Sequence, residues 1–312
     1  GKQRNDAYEY ALKVFSAQIN SGEYDQVTLE AVLLFIENIN EEATGEMVSH
    51  FMEMMQPFII TNDYLFSRYI HTLFMALGPK CIQLFIGCIE KAQGTQTLSA
   101  LCEVGGLLIR NDKKGEWILE LLLFLQGPIQ KQIQVVSNWT DGSEEAAEAR
   151  NLVRDFFFFC GEAISTLKPS EIAQLIGLAC SLVVIGLRVP RILQSIFDFL
   201  QKVPLEQTEI LFNRCINDFL SKVIESDIDP LEIRWREPIR SLGCLHTKLI
   251  QANPEQFKKQ FFPFASHYSV STDFVVEYLE LISSDLSTRG RNFVSTFNRI
   301  KNEYKIKIQD PS

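Results

Sequence analysis

Four consecutive phenylalanines, Phe156 to Phe159 in "RDFFFFCGE", limit what this chain can fold into. Successive residues of an α-helix lie about 100° apart, so the four rings point almost all the way round the axis. A surface helix buries only one stripe of side chains. This segment therefore requires either packed neighbours on several sides or a lipid environment. The most apolar run, Ile172 to Leu187, bears on the second option. It contains Gln174 and Ser181, is flanked by Glu171 and Arg188, and falls short of the roughly 20 apolar residues a span needs. The expectation is a buried helix without membrane insertion.

The dominant period along the chain is helical. Ile192, Leu193, Ile196, Phe197 and Leu200 share one helical face, as do Phe293, Phe297, Ile300 and Tyr304. Alternating strand patterns do not occur. Capping chemistry marks helix starts at "DPLE" (Asp229, Pro230, Glu232), "NPEQ" (from Asn253), "DGSE" (141–144), "KPSE" (Pro169) and "VPLE" (Pro204). Pro238 falls inside a helical pattern and is expected to kink or divide it. The helices pair as 4–20 with 25–39, 43–56 with 61–77, 80–91 with 95–110, and 113–125 with 127–138. The remaining pairs are 143–166 with 168–187, 189–202 with 205–225, 230–251 with 254–264, and 269–283 with 286–304. The fold class is thus all-α: a HEAT-like solenoid, a right-handed stack of about eight antiparallel hairpins with a spacing of about 39 residues. One such solenoid is expected over 1–312, cut from a longer chain, since "GKQRNDAYEYALKVF" opens in mid-stride without a signal-peptide form. Inner helices of a stack are covered on several sides, which gives the Phe156–Phe159 run a place in the core.

No catalytic pattern accompanies this architecture. There is no P-loop, HExxH or GxSxG. The four histidines are scattered, with His71 and His246 expected on helix flanks. The carboxylate pairs Glu41–Glu42 and Glu144–Glu145 lie at helix starts, where they complement the dipole. The seven cysteines sit in apolar helical runs without a CxxC pair, as small buried hydrophobes. No enzyme activity, metal or cofactor is expected. A net charge of −9 opposes phosphate binding and makes nucleic acid a poor partner. Charge is nevertheless uneven. Between Ser21 and Ser67 there are nine acids and no Lys or Arg, whereas 285–309 carries six basic residues against two acids. The acidic stretch is either plain helix surface or a docking face for a basic partner, which would speed association. The candidate contact residues are Glu23, Asp25, Glu41, Glu42 and Glu46, with Arg289, Arg291 and Arg299 at the basic end.

Degenerate hairpins near 39 residues, the helix of "TLSALCEVGGLLIRNDKKGEWILELLLFLQGPIQKQI" with its small Cys102, Gly105 and Gly106, and "WTDGSEEAAEARNLVRDFFFFCGEAIS" (139–165) together resemble the importin-β/exportin (karyopherin) family of nuclear transport receptors. The resemblance implies a receptor segment, from the C-terminal half, that wraps cargo protein and the GTPase Ran. It also implies nucleoporin contacts and residence in nucleus and cytoplasm. Family members are roughly three times this length, and neither the family's main Ran-binding repeats nor any cargo residue can be placed on this sequence. The competing classes are a HEAT scaffold or regulatory subunit of a cytosolic multiprotein complex, and an all-α enzyme.

Overall fold

The structure is a computed structural model that describes residues 2–22, 24–38, 45–111, 115–137, 143–214, 219–283 and 293–302. Among them there is no strand. The chain divides into two compact units, Gly1–Thr166 and Leu167–Ser312, and the boundary falls between the helices expected as the 143–187 pair.

The first unit holds α1 (Lys2–Ser21), α2 (Gln26–Glu37), α3 (Gly45–Ile59), α4 (Asp63–Leu77), α5 (Ile82–Ile89), α6 (Thr95–Asn111), α7 (Trp117–Ser137) and α8 (Glu144–Ala163). Packing skips one helix at a time. α2 packs on α4, α4 on α6 and α6 on α8, while α1 packs on α3 and α5 on α7. The helices thus form two rows, tied together where α3 meets α4 and α7 meets α8. Between α4 and α5, Gly78 at φ 54° and Pro79 turn the chain through a 3-10 turn (Gly78–Cys81), so the apolar stretch Asp63–Ile89 is two helices.

The second unit holds α9 (Pro169–Gly186), α10 (Pro190–Lys202), α11 (Thr208–Arg214), α12 (Ser221–Glu225), α13 (Ile233–Ala252), α14 (Pro254–His267), α15 (Thr272–Ser283) and the helical stretch 293–302. Its hub is α13, which touches α10, α11, α14 and α15. By length and composition α9 could cross a membrane. Here Ile172, Ile176, Ala179 and Val183 are buried, while Gln174, Gly177, Ser181 and Val184 form its exposed line.

The phenylalanine run lies in α8. Phe156, Phe157 and Phe159 are at most 1% exposed, and Phe158 is half-buried. The space for them comes from the glycines of α6. A Cβ on Gly105 would lie 3.3 Å from the Phe159 ring, and one on Gly106 only 2.5 Å from the Phe158 ring. Arg110 of the same helix places its guanidinium 5.1 Å from the centre of the Phe158 ring. The small residues of α6 and the aromatic run of α8 are two halves of one close helix contact.

Several helix starts follow the capping logic. Asp25 accepts from the Thr28 amide at 2.8 Å, Ser143 from Ala146 at 3.3 Å, and Asn253 from Gln256 at 3.0 Å. The side chain of Glu171 accepts from the Lys168 amide at 2.7 Å, with Pro169 opening α9. Other ends are completed by a different helix. Asp63, the first residue of α4, accepts from the amides of Gln96 (3.0 Å) and Thr97 (2.9 Å) at the start of α6. Lys248 of α13 donates to the Gln201 carbonyl at 2.5 Å and to that of Val203, at the end of α10. Lys301, 2% exposed, donates to the carbonyls of Val223 (3.1 Å) and Ser226, at the end of α12.

Four expectations are corrected. The pair 113–125 and 127–138 is one helix, α7, which continues through Gly127–Pro128, so the count of eight hairpins does not hold. Helix α13 is likewise not divided at Pro238. That proline is the sixth residue of the helix, so its missing N–H leaves only a first-turn carbonyl without its usual partner. Asp229 does not cap α13: it accepts from the Leu231 amide at 2.9 Å in a turn, and the helix begins at Ile233. His246 is not on a flank. It is fully buried, with Nδ1 2.5 Å from the Tyr278 hydroxyl and its ring edge-on to Phe257.

Candidate functional site

The charged residues singled out in the sequence divide into distinct groups. Glu23, Glu41, Glu42, Arg289 and Arg291 lie outside the described residues. Asp25 is the cap of α2, and the hydrogen bond from the Thr28 amide holds its carboxyl below the ordinary value. Glu46 is exposed in the first turn of α3, with Glu53 exposed further along the same helix. Arg299 pairs with Glu277 at 3.0 Å and sits 5.0 Å from the centre of the Phe274 ring, so its charge is matched inside the second unit. Two other acids of the 21–67 stretch have internal tasks. Glu37 of α2 accepts from Arg68 (3.2 Å) and Thr72 (2.7 Å) of α4, and Asp63 completes α6. Among the described acids of the stretch, Asp25, Glu37 and Asp63 thus have partners within the first unit, while Glu46 and Glu53 are exposed on α3.

The structure brings together a polar cleft of about 380 Å³ across α4, α6 and α8 in the first unit. Ser67 and His71 enter from α4, Gln96, Ser99 and Ala100 from α6, and Glu144, Ala147, Glu148 and Asn151 from α8. On each helix these residues recur at three- or four-residue steps, which puts them on one face. The packing of α4 on α6 and of α6 on α8 then aligns the three faces.

The walls of this cleft are fixed by hydrogen bonds. The Gln96 side-chain amide donates to Glu148 at 2.5 Å. Ser99 donates its hydroxyl to Asp155, which is 5% exposed and also receives Arg154 through two bonds of 2.7 and 3.0 Å. Arg154 is thereby a matched cation, and its pKa is raised chiefly by the hydrogen bond to Asp155. His71 reaches Glu103 at 3.9 Å along the rim. Glu144 and Glu148 have no ion pair among the described residues.

Such a site offers acceptors, a positioned amide and a net negative charge. Its alignment of Ser, His and carboxylate types is not a nucleophilic triad, because Ser99 is hydrogen-bonded to Asp155 and His71 lies nearest Glu103, at 3.9 Å. Among the described residues no group of His, Cys, Asp and Glu is disposed to hold a metal ion. Sequence reasoning placed Glu144 at the start of a helix and His71 on a flank, and both positions hold. It missed that these flanks meet, since the helices that share the cleft are separated by an intervening one in the chain.

No protein family, no curated protein and no solved structure matches the chain.

Proposed function

We propose that this chain is a protein-binding, HEAT-like helical-repeat segment of a nuclear transport receptor of the importin-β/exportin kind, which wraps cargo protein, the GTPase Ran or both. The observation that carries this reading is the row packing of the first unit, in which helices two apart in sequence touch along the stack. A stack of this kind leaves the outward faces of one row free for a partner, and here those faces on α4, α6 and α8 are polar and concave. On this reading the chain acts by binding rather than by catalysis, meets nucleoporins in transit, and occupies nucleus and cytoplasm.

The test is titration of the chain with Ran locked in its GTP form and, separately, with Ran·GDP. Preferential binding of the GTP form is the expected result. Equal affinity for the two forms would remove the transport reading and leave a helical scaffold with a different partner, whereas binding of neither would leave cargo protein as the partner of this segment.

A further inference from the structure

We propose that the α4/α6/α8 cleft is a receptor for a single cationic side chain, the ammonium of a lysine or the guanidinium of an arginine, presented on an extended segment of a protein partner. This inference rests on the protein-binding reading above and names the chemistry of the contact.

Three features of the cleft converge on a cation. The first is size: this half-open cleft of about 380 Å³ lies within the roughly 300–1,000 Å³ range of ligand clefts and admits a long side chain. The second is order. Gln96 and Thr97 are pinned by Asp63, Gln96 in turn holds Glu148, and Ser99 is fixed by the buried Asp155. A cleft whose walls are already hydrogen-bonded loses little freedom when a ligand enters.

The third feature is a charge imbalance: beyond the helix dipole at Glu144, no cation among the described residues pairs with Glu144 or Glu148. The nearby guanidinium of Arg154 is saturated by Asp155, so it does not neutralise the other acids. Glu148 receives a neutral amide, and Glu144 has no ion pair among the described residues. The remaining lining groups, Asn151 and Ser67, offer acceptor oxygens that suit the extra protons of an ammonium or guanidinium. An anionic ligand would meet two carboxylates at the mouth, and an apolar one would strip hydrogen bonds from them without replacing them.

The experiment uses the whole chain and a fluorescein-labelled peptide of alternating Arg and Gly, followed by fluorescence anisotropy at low and physiological salt. A Glu–Gly peptide is the charge-reversed control. Two double variants carry the same change in net charge: Glu144→Gln with Glu148→Gln in the cleft, and Glu46→Gln with Glu53→Gln on exposed α3. The cleft pair is expected to weaken binding about tenfold, the effect of two partly screened charge contacts, and the α3 pair less than about twofold. Asn151→Lys places a tethered ammonium in the cleft and is expected to abolish peptide binding while leaving the circular dichroism spectrum and melting curve intact.

Equal weakening by both double variants would mean a diffuse field rather than a site, and would overturn the proposal. So would failure of the wild-type chain to bind the Arg–Gly peptide, or undiminished binding by Asn151→Lys. Ran titration and peptide anisotropy are independent readouts: loss of Ran selectivity with a retained cleft-dependent peptide signal would count against the transport reading alone.

Discussion

Two glycines of the second unit, both inside helices, are expected to respond in opposite directions to the same substitution. Gly243 lies in α13, where an added Cβ would stand 2.8 Å from Cδ1 and Cγ of Phe293. That ring is 4% exposed and lies between Tyr278 and Phe297, with centroids 5.9 and 6.2 Å away, so it cannot swing aside cheaply. Overpacking of this sort costs about 1–3 kcal/mol, against which alanine's better helix propensity returns about 1 kcal/mol. Gly177 lies in α9 on the exposed line, and a Cβ there meets nothing within 4 Å. Gly177→Ala therefore keeps the whole propensity gain of about 0.5–1 kcal/mol.

The net expectation is that Gly243→Ala destabilises by up to about 2 kcal/mol while Gly177→Ala stabilises by a little less than about 1 kcal/mol. In a unit of this size each kcal/mol moves the melting temperature by about 2–4 °C, so the two variants should melt several degrees apart, on either side of wild type. Urea denaturation followed by circular dichroism provides the free energies. Because the chain has two compact units, the transition assigned to the second is the one to compare. If Gly243→Ala proves as stabilising as Gly177→Ala, the close contact of α13 with the 293–302 stretch is not as described.

Four further outcomes are expected. Phe157→Ala should cost about 3–5 kcal/mol, and the half-buried Phe158→Ala distinctly less, by the same denaturation assay. A Cβ on Gly94 would fall 1.9 Å from Cγ of Asp63, so Gly94→Ala should destabilise wild type but be nearly neutral in an Asp63→Ala background, a coupling that a double-mutant cycle measures. Burial raises the Asp198 carboxyl above its ordinary 3.8, so its contribution to stability is present below that pH and lost as pH rises through the folded value. Asp198→Asn, which still accepts from Ser241, should therefore stabilise at neutral pH, with the advantage shrinking as parallel melts approach the ordinary carboxylate range. The thiols of Cys81 and Cys88 are buried and pushed up to about 12, so both should resist iodoacetamide in the native chain, with half-buried Cys244 labelled before either by peptide mass spectrometry.

The helical class and many element bounds were legible because they rest on local chemistry. The period of "VPRILQSIFDFLQKV" predicts the buried face of α10, and Asn253 and Pro169 open their helices as their residue types require. Local chemistry misled at Gly127–Pro128, a dipeptide that usually ends a helix but here lies within α7. At Asp229, a residue type suited to capping instead closes a turn one step earlier. The cleft was not legible for a different reason. Its residues lie at 67–71, 96–100 and 144–151, and only the pairing of helices two apart brings them into register. The acid-rich 21–67 stretch was conspicuous as composition, yet Asp25, Glu37 and Asp63 turn out to finish helices and link neighbours within one row.

The exchange of caps between helices sets the grain at which this protein can fold. Helix α6 begins on a carboxylate that belongs to α4, α10 ends on an ammonium from α13, and α12 ends on one from the 293–302 stretch. None of these three helices has all its terminal groups satisfied until a segment more than 30 residues away is in position. A hairpin excised from the chain would thus lose part of its own helix ends along with its neighbours' surface. In the language of linear arrays, the coupling between elements is large relative to what each element is worth alone. Partial unfolding should then advance by whole blocks, and hydrogen exchange at the first amides of α6 should report on the docking of α4 rather than on fraying of α6 itself.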